Sequence, residues 1–268
     1  MEEMLHIDEK FDQFIASSAQ RKSFIQKFLE EGGLSCSVLR FEGRDHLYVN
    51  FPRNQYNPMF RIKTVIAHYD RVEGSPGAND NSAAVYFLMQ WALHLSKTRS
   101  FHNVRLIFTD GEEAFGGVKN QGAFKLAETF KKLNLSNDDV FVFDACGRGN
   151  IPIISQMNFT SLTPDSFIKK YNKLENRTKA MITEACKKGL CLPTAYSDNA
   201  SFLACGIPAV TITLLPEDES IALMKGQIPE TWKMFHTEKD SKANLTESAA
   251  TTMEAILTAL EKLVFPAC

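Results

Sequence analysis

The stretch that decides the fold is Ile62–Leu95, IKTVIAHYDRVEGSPGANDNSAAVYFLMQWALHL. It opens with a short apolar run, Ile62–Ala67, that predicts a buried strand and passes straight into His68-Tyr69-Asp70. A connection containing Gly77-Ala78-Asn79-Asp80-Asn81 leads into Ser82–Leu95, which is apolar on nearly every side and predicts a buried helix. The pattern then repeats. Val104–Thr109 predicts a strand, followed by Asp110-Gly111-Glu112-Glu113 and a helix over Gly122–Leu133. Val140–Phe143 predicts a strand ending at Asp144, Pro208–Leu214 a later strand, and Thr246–Val264 a closing helix capped by Asn244 or Thr246. Strands alternating with helices imply an α/β fold whose largely parallel sheet is covered on both faces. Upstream, apolar residues at helical spacing predict one lead-in helix over 8–31, stopped by Gly32-Gly33. Cys36–Phe41 and His46–Phe51 predict strands flanking the turn Glu42-Gly43-Arg44. No repeat or Pro/Gly/Ser-rich linker interrupts the sequence, so 1–268 reads as a single domain.

Composition narrows the class without naming a function. With 268 residues, 44% hydrophobic and 23% charged, the chain is globular and large enough for a core that needs no disulfide or structural metal. Lys and Arg number 30 against 32 Asp and Glu, a net charge of −2 that argues against a dedicated nucleic-acid binder or a polybasic membrane anchor. The start, MEEMLHIDEKFDQF, lacks the basic and apolar regions of a secretory signal, and no stretch approaches the ~20 apolar residues of a membrane span. The expectation is therefore a cytoplasmic protein, with its six cysteines, none in a CxxC, as free thiols. The pairs Lys131-Lys132, Lys169-Lys170 and Lys187-Lys188 read as solvated helix faces.

The chemistry lies where the strands end. In a doubly wound sheet the ligand site forms beyond the carboxyl ends of the strands. His68, Asp110-Gly111-Glu112-Glu113 and Asp144 all fall there, Asp80 precedes a helix, and His236 follows Phe235 in a polar loop. Singly, each has an ordinary explanation: a strand-end histidine is most often structural, and an aspartate before a helix is usually its cap. Jointly they crowd like charges at one edge, which repel unless something positive sits among them. Divalent cations are the natural neutraliser. Histidine and carboxylate ligands without cysteine suit catalytic zinc, with manganese or cobalt as alternatives. Two metals roughly 3.5–4 Å apart need a bridging carboxylate and terminal ligands on each side. His68, Asp80, Glu113, Asp144 and His236 are the right types and number for that, leaving Glu112 free to take a proton.

With Ser197-Asp198-Asn199 and His236-Thr237 added, these motifs stand in the order and spacing of one group of zinc exopeptidases. From about Ile62 to the C-terminus the chain resembles the metallopeptidase family of bacterial leucyl aminopeptidase, aminopeptidase Y and glutamate carboxypeptidase II. The resemblance implies a three-layer α/β/α sandwich with a central mixed, mostly parallel β-sheet. It implies two zinc ions per chain, one held by His68 and Asp144, the other by Glu113 and His236, with Asp80 bridging. Glu112 would be general base and then acid, and Asp70 would hold the free ring N–H of His68. Asp198 would line the substrate site. The implied partners are peptides with a free N-terminus, from which one residue is released by water activated at the metals; no nucleic acid or membrane is implied.

The sequence departs from that family in places. Asn199 stands where the family's Ser-Asp-His turn has histidine. Thr194 stands at the distance where some members carry an oxyanion-binding tyrosine, and Tyr196, closer in, is given no catalytic role. Cys191 and Cys205 flank a region where secreted members often carry a disulfide. Two alternatives remain. One is a glutaminyl-peptide cyclotransferase with a single zinc, which His68-Tyr69-Asp70 and the run Asp110–Phe115 resemble equally; cyclases tend to have Trp before the last histidine, where Phe235 stands, with Trp232 further back. The other is a non-catalytic binding module on the same fold, and such relatives generally lose ligands or the base. Leu215–Phe235, with Pro216, Gly226 and Pro229, reads as a loop over the site that shapes specificity.

Overall fold

Eight strands form one sheet among the described residues, 4–114 and 116–267 of the computed structural model. Phe115, in the run compared with cyclases, and Cys268, expected as a free thiol, lie outside them. The strands are β1 (Cys36–Phe41), β2 (Arg44–Val49), β3 (Lys63–His68), β4 (Val104–Thr109), β5 (Asp139–Phe143), β6 (Ile151–Ser155), β7 (Leu190–Leu192) and β8 (Ala209–Leu215). Their order is β1-β2-β4-β3-β5-β8-β6-β7. The centre, β4-β3-β5-β8, is parallel throughout, whereas β1/β2, β2/β4 and β6/β8 are antiparallel.

The helices are α1 (Glu9–Ile15), α2 (Arg21–Glu31), α3 (Ala83–Lys97), α4 (Gly122–Lys132), α5 (Asp165–Cys186), α6 (Asp198–Ala204), α7 (Glu217–Met224), α8 (Glu230–Met234) and α9 (Glu247–Lys262). Two helical layers explain why the middles of the central strands are apolar at successive positions. Val65, Ala67, Leu106, Phe108, Phe141 and Phe143 pack into one cluster with residues of α1, α2, α3, α5 and α9. Their neighbours in sequence, Ile66, Ile107, Val140 and Val142, point the other way, against α4 and α6. Burial on both faces removes the polar alternation of a half-exposed strand. α3 is apolar nearly all round because it lies deep in its layer, with Tyr86, Phe87 and Trp91 at most 1% exposed. The fold is the α/β sandwich expected from the sequence.

Three local expectations change. The lead-in is two helices, not one. The side chain of Arg71 donates to the carbonyls of Ile15, Ala16 and Ser17 at 2.7–3.1 Å, satisfying the end of α1, and the chain restarts at Arg21. Helical spacing runs through the break because Phe14 and Phe24 still meet, ring centroids 5.1 Å apart. The first hairpin turns on Glu42-Gly43, both at positive φ, so β2 already includes Arg44. The segment read as a loop over Leu215–Phe235 contains α7 and α8, because Pro216 and Pro229 start helices there rather than merely breaking the chain. β6, β7 and α5 add strands and a long helix on the β8 side of the sheet.

Candidate functional site

Strand register levels the residues that matter. His68 pairs with Thr109 and Ile66 with Val142, so His68, the turn after Thr109 and Asp144 emerge together at the carboxyl edge of the sheet. Asp80 is brought over them by a kinked segment and does not cap α3, whose N-cap position is Ser82. His236 arrives two residues after α8, in the left-handed region at φ 62°.

The side chains converge in two groups. His68 Nε2 lies 3.3 Å from Asp80 Oδ1 and 3.7 Å from Asp144 Oδ1. The other Asp80 oxygen, Oδ2, lies 3.3 Å from His236 Nε2, which is itself 3.0 Å from Glu113 Oε2. His68, Asp80 and Asp144 thus form one potential cation-binding group, and Asp80, Glu113 and His236 a second that shares Asp80 with it. Ligands of a tetrahedral zinc with bonds of ~2.0–2.2 Å stand about 3.3 Å from one another. The observed spacings suit a cation in each group. Both ring nitrogens of His68 and Oε1 of Glu113 are buried without a hydrogen-bond partner. Buried polar atoms are rarely left so unless they serve as ligands or in catalysis, and the donor set fits divalent metal at both positions.

The electrostatics point the same way. Burial opposes a charge on His68, yet the carboxylates of Asp144, Asp70 and Asp80 outweigh it and hold the imidazole well above its usual range. Burial also opposes ionisation of Asp80, but its bonds to His236 and His68 keep it well below the carboxylate norm. His236 is raised to about 8, chiefly by Asp80. Burial, with Asp80 adding repulsion, pushes Glu113 up to about 7. Glu112 is pushed up to about 9, mainly by burial. Such crowding of acids in one cleft is what positive charge relieves.

Supporting contacts fix these groups. Asp70 Oδ1 is 3.5 Å from His68 Nδ1, and the same carboxylate accepts the backbone N–H of Glu112 at 3.2 Å and of Glu113 at 3.0 Å. One side chain thereby orients both the imidazole and the acidic turn. The turn favours Gly111 because its φ of 82° is one that residues carrying a Cβ rarely adopt. The Glu112 carboxylate lies in a group with His68 and Glu113 whose candidate ligand atoms are all within 4.8 Å of one another. Asp198 is fully buried, accepts the Thr109 hydroxyl, and is raised to about 7 by burial; it belongs to neither cation group. Asn199 Oδ1 accepts the N–H of Ser197, and Tyr196 is exposed. Cys191 and Cys205 are unpaired.

The sequence reading missed two residues. Asp240 accepts the N–H groups of Asn79 at 2.7 Å and Asp80 at 3.0 Å, while its own carbonyl accepts from Ala78. The segment after His236 therefore grips the segment that carries Asp80. Gln121 donates to Glu112 Oε1 at 2.8 Å. In sequence Asp240 looks like one more charge in the polar run Glu238-Lys239-Asp240, and Gln121 like a residue before a helix; only burial marks them.

An α/β sheet with a shared aspartate between two histidine-containing groups defines a protein with a candidate two-cation centre. Residues 52–260 match peptidase family M28, and the chain belongs to that family. No curated protein matches the sequence. Among solved structures, glutaminyl cyclase from Porphyromonas gingivalis superposes with a TM-score of 0.70 at 13% identity, covering 97% of this chain and 99% of that one. The LapA aminopeptidase of Legionella pneumophila gives a TM-score of 0.63 at 16% identity, over 94% of this chain and 69% of its own. A zinc aminopeptidase from Bacillus subtilis gives 0.58 at 19% identity, over 81% of this chain and 48% of its own. At these identities the likeness shows the fold.

Proposed function

We propose that the protein is a zinc-dependent aminopeptidase with two zinc ions per chain, manganese or cobalt being able to replace them. His68 and Asp144 would hold one ion, Glu113 and His236 the other, and Asp80 both. The observation that carries this reading is the division of Asp80, one oxygen 3.3 Å from each histidine. A carboxylate placed between two imidazoles, one oxygen towards each, is what a two-cation centre uses as its bridge. The name of the B. subtilis neighbour and membership of a peptidase family support the choice of metal and reaction.

Bound there, the cations would polarise the peptide carbonyl, acidify the attacking water and hold Glu112 ionised. Glu112 takes the proton of that water and gives it to the departing amine nitrogen. Asp70 holds His68 and the turn bearing both acids, so base and ligands keep one geometry. Glu112 and Asp198 stand outside the proposed ligand set, and Glu112, once held ionised by the cations, would attract a substrate arriving with a protonated α-amine. Among the described residues no helix is long and apolar enough to cross a membrane, and all five described cysteines are free, which supports a reducing compartment such as the cytoplasm.

A second reading, a glutaminyl-peptide cyclotransferase with one zinc, is favoured by the match to the P. gingivalis cyclase over almost the whole of both chains. One experiment separates them: turnover on free-amine, blocked and N-terminal-glutamine peptides, with metal analysis of the same sample. Release of N-terminal residues from free-amine peptides alone, with about two zinc per chain, supports the aminopeptidase. Cyclisation of N-terminal glutamine with about one zinc supports the cyclase, and no turnover on any peptide removes both.

A further inference from the structure

Glu112 has two carboxylate oxygens, and among the described residues a side chain hydrogen-bonds to one of them. Gln121 Nε2 donates to Oε1 at 2.8 Å. Gln121 is itself held: its Oε1 accepts the hydroxyl of Ser201 at 2.9 Å. Ser201 is fully buried in α6, and Gln121 is buried at the N-terminal end of α4, where these two helices pack together. An amide can present either its oxygen or its nitrogen to a neighbour, and the network decides which. Here the Ser201 hydroxyl satisfies the amide oxygen, so the NH2 is turned to Glu112.

We infer that Gln121 is a positioning residue for the proposed proton-transfer step, and that Ser201 sets its orientation. This rests on the reading of Glu112 as base. By tethering Oε1, Gln121 fixes the rotation of the carboxylate and leaves Oε2 as the oxygen that carries the proton. The chain Ser201–Gln121–Glu112 runs from α6 through the start of α4 to the site, and the side-chain bonds of Gln121 and Ser201 within it go to each other and to Glu112, not to any of the five proposed ligands. Its loss therefore acts on the rate of the proton-dependent step, with ground-state binding and metal occupancy kept. A carboxylate free to rotate spends less of its time in the productive geometry.

The test uses the metal-loaded protein and its Gln121→Met, Ser201→Ala and Glu112→Gln variants, the first replacing the amide by an apolar chain of similar length. For each, kcat and KM on a free-amine peptide, zinc per chain and the melting temperature are measured. The inference predicts that Gln121→Met lowers kcat by roughly tenfold or more, with KM within about threefold and zinc content and melting temperature at parental values. Ser201→Ala lowers kcat by a smaller factor in the same pattern, because the amide can then flip. A kcat for Gln121→Met within about twofold of the parent overturns the inference. So does a loss accompanied by loss of zinc or by a lowered melting temperature, since either makes the residue merely structural. If Glu112→Gln keeps parental turnover, the base assignment itself fails, whichever way Gln121 behaves.

Discussion

At the scale of single residues, the site depends on groups that do different work within a few ångströms. Replacing Glu112 by Gln keeps the shape but removes the proton acceptor; turnover should fall by about 10²–10⁴ while zinc content is unchanged. Steady-state kinetics beside metal analysis checks this, and activity near the parent would free Glu112 from its role. Asp80→Ala should reduce occupancy at both positions, because each histidine loses its shared oxygen. His236→Ala should empty only one, a contrast visible by titrating zinc into the metal-free variants. These residues were legible in the sequence because they stand at strand ends and before a helix, where an α/β sheet gathers its chemistry. Gln121 and Asp240 were not. Their importance comes from burial and from a hydrogen bond to a group distant in the chain, which no local pattern encodes.

At the scale of elements, the central strands and α3 could be read because burial on both faces leaves apolar residues at successive positions rather than in alternation. The break between α1 and α2 could not, because its cause is Arg71, more than fifty residues away in sequence. α7 and α8 hid behind prolines that serve equally to end a loop or to begin a helix. The end of α9 shows the same long reach. Lys63, buried in β3, donates to the carbonyls of Leu260 at 2.7 Å, Glu261 at 3.0 Å and Leu263 at 2.5 Å. Lys63→Met should leave those acceptors without their donor and cost about 1–3 kcal/mol. Urea unfolding would measure it, and faster amide exchange confined to the last turn of α9 would place it.

At the scale of the whole molecule, two conditions should govern stability. Removing metal with a chelator leaves the acids of the site facing one another, so the melting temperature should fall and recover when zinc is returned. Acid acts elsewhere. His102 is fully buried, accepts the Val104 N–H at Nδ1 and lies 3.0 Å from Gln55 at Nε2; burial lowers it to about 4. The folded chain thus keeps it neutral where the unfolded chain, at about 6.5, would take up a proton. Its contribution is whole above pH 6.5 and is lost as pH falls from there towards 4, about 3 kcal/mol in all. His102→Gln should flatten that part of the stability profile relative to the parent, measured by denaturant titration at several pH values.

The two histidines differ in one respect that bears on how the centre is filled and emptied: His68 is wholly enclosed, whereas the His236 side chain is 54% exposed. An ion beside His236 can be reached by a competing chelator directly, while one beside His68 must first pass Asp80 or await a local opening of the chain. Depletion should therefore be biphasic, with a half-loaded species persisting between a fast and a slow phase. A brief chelator pulse followed by metal counting would capture it.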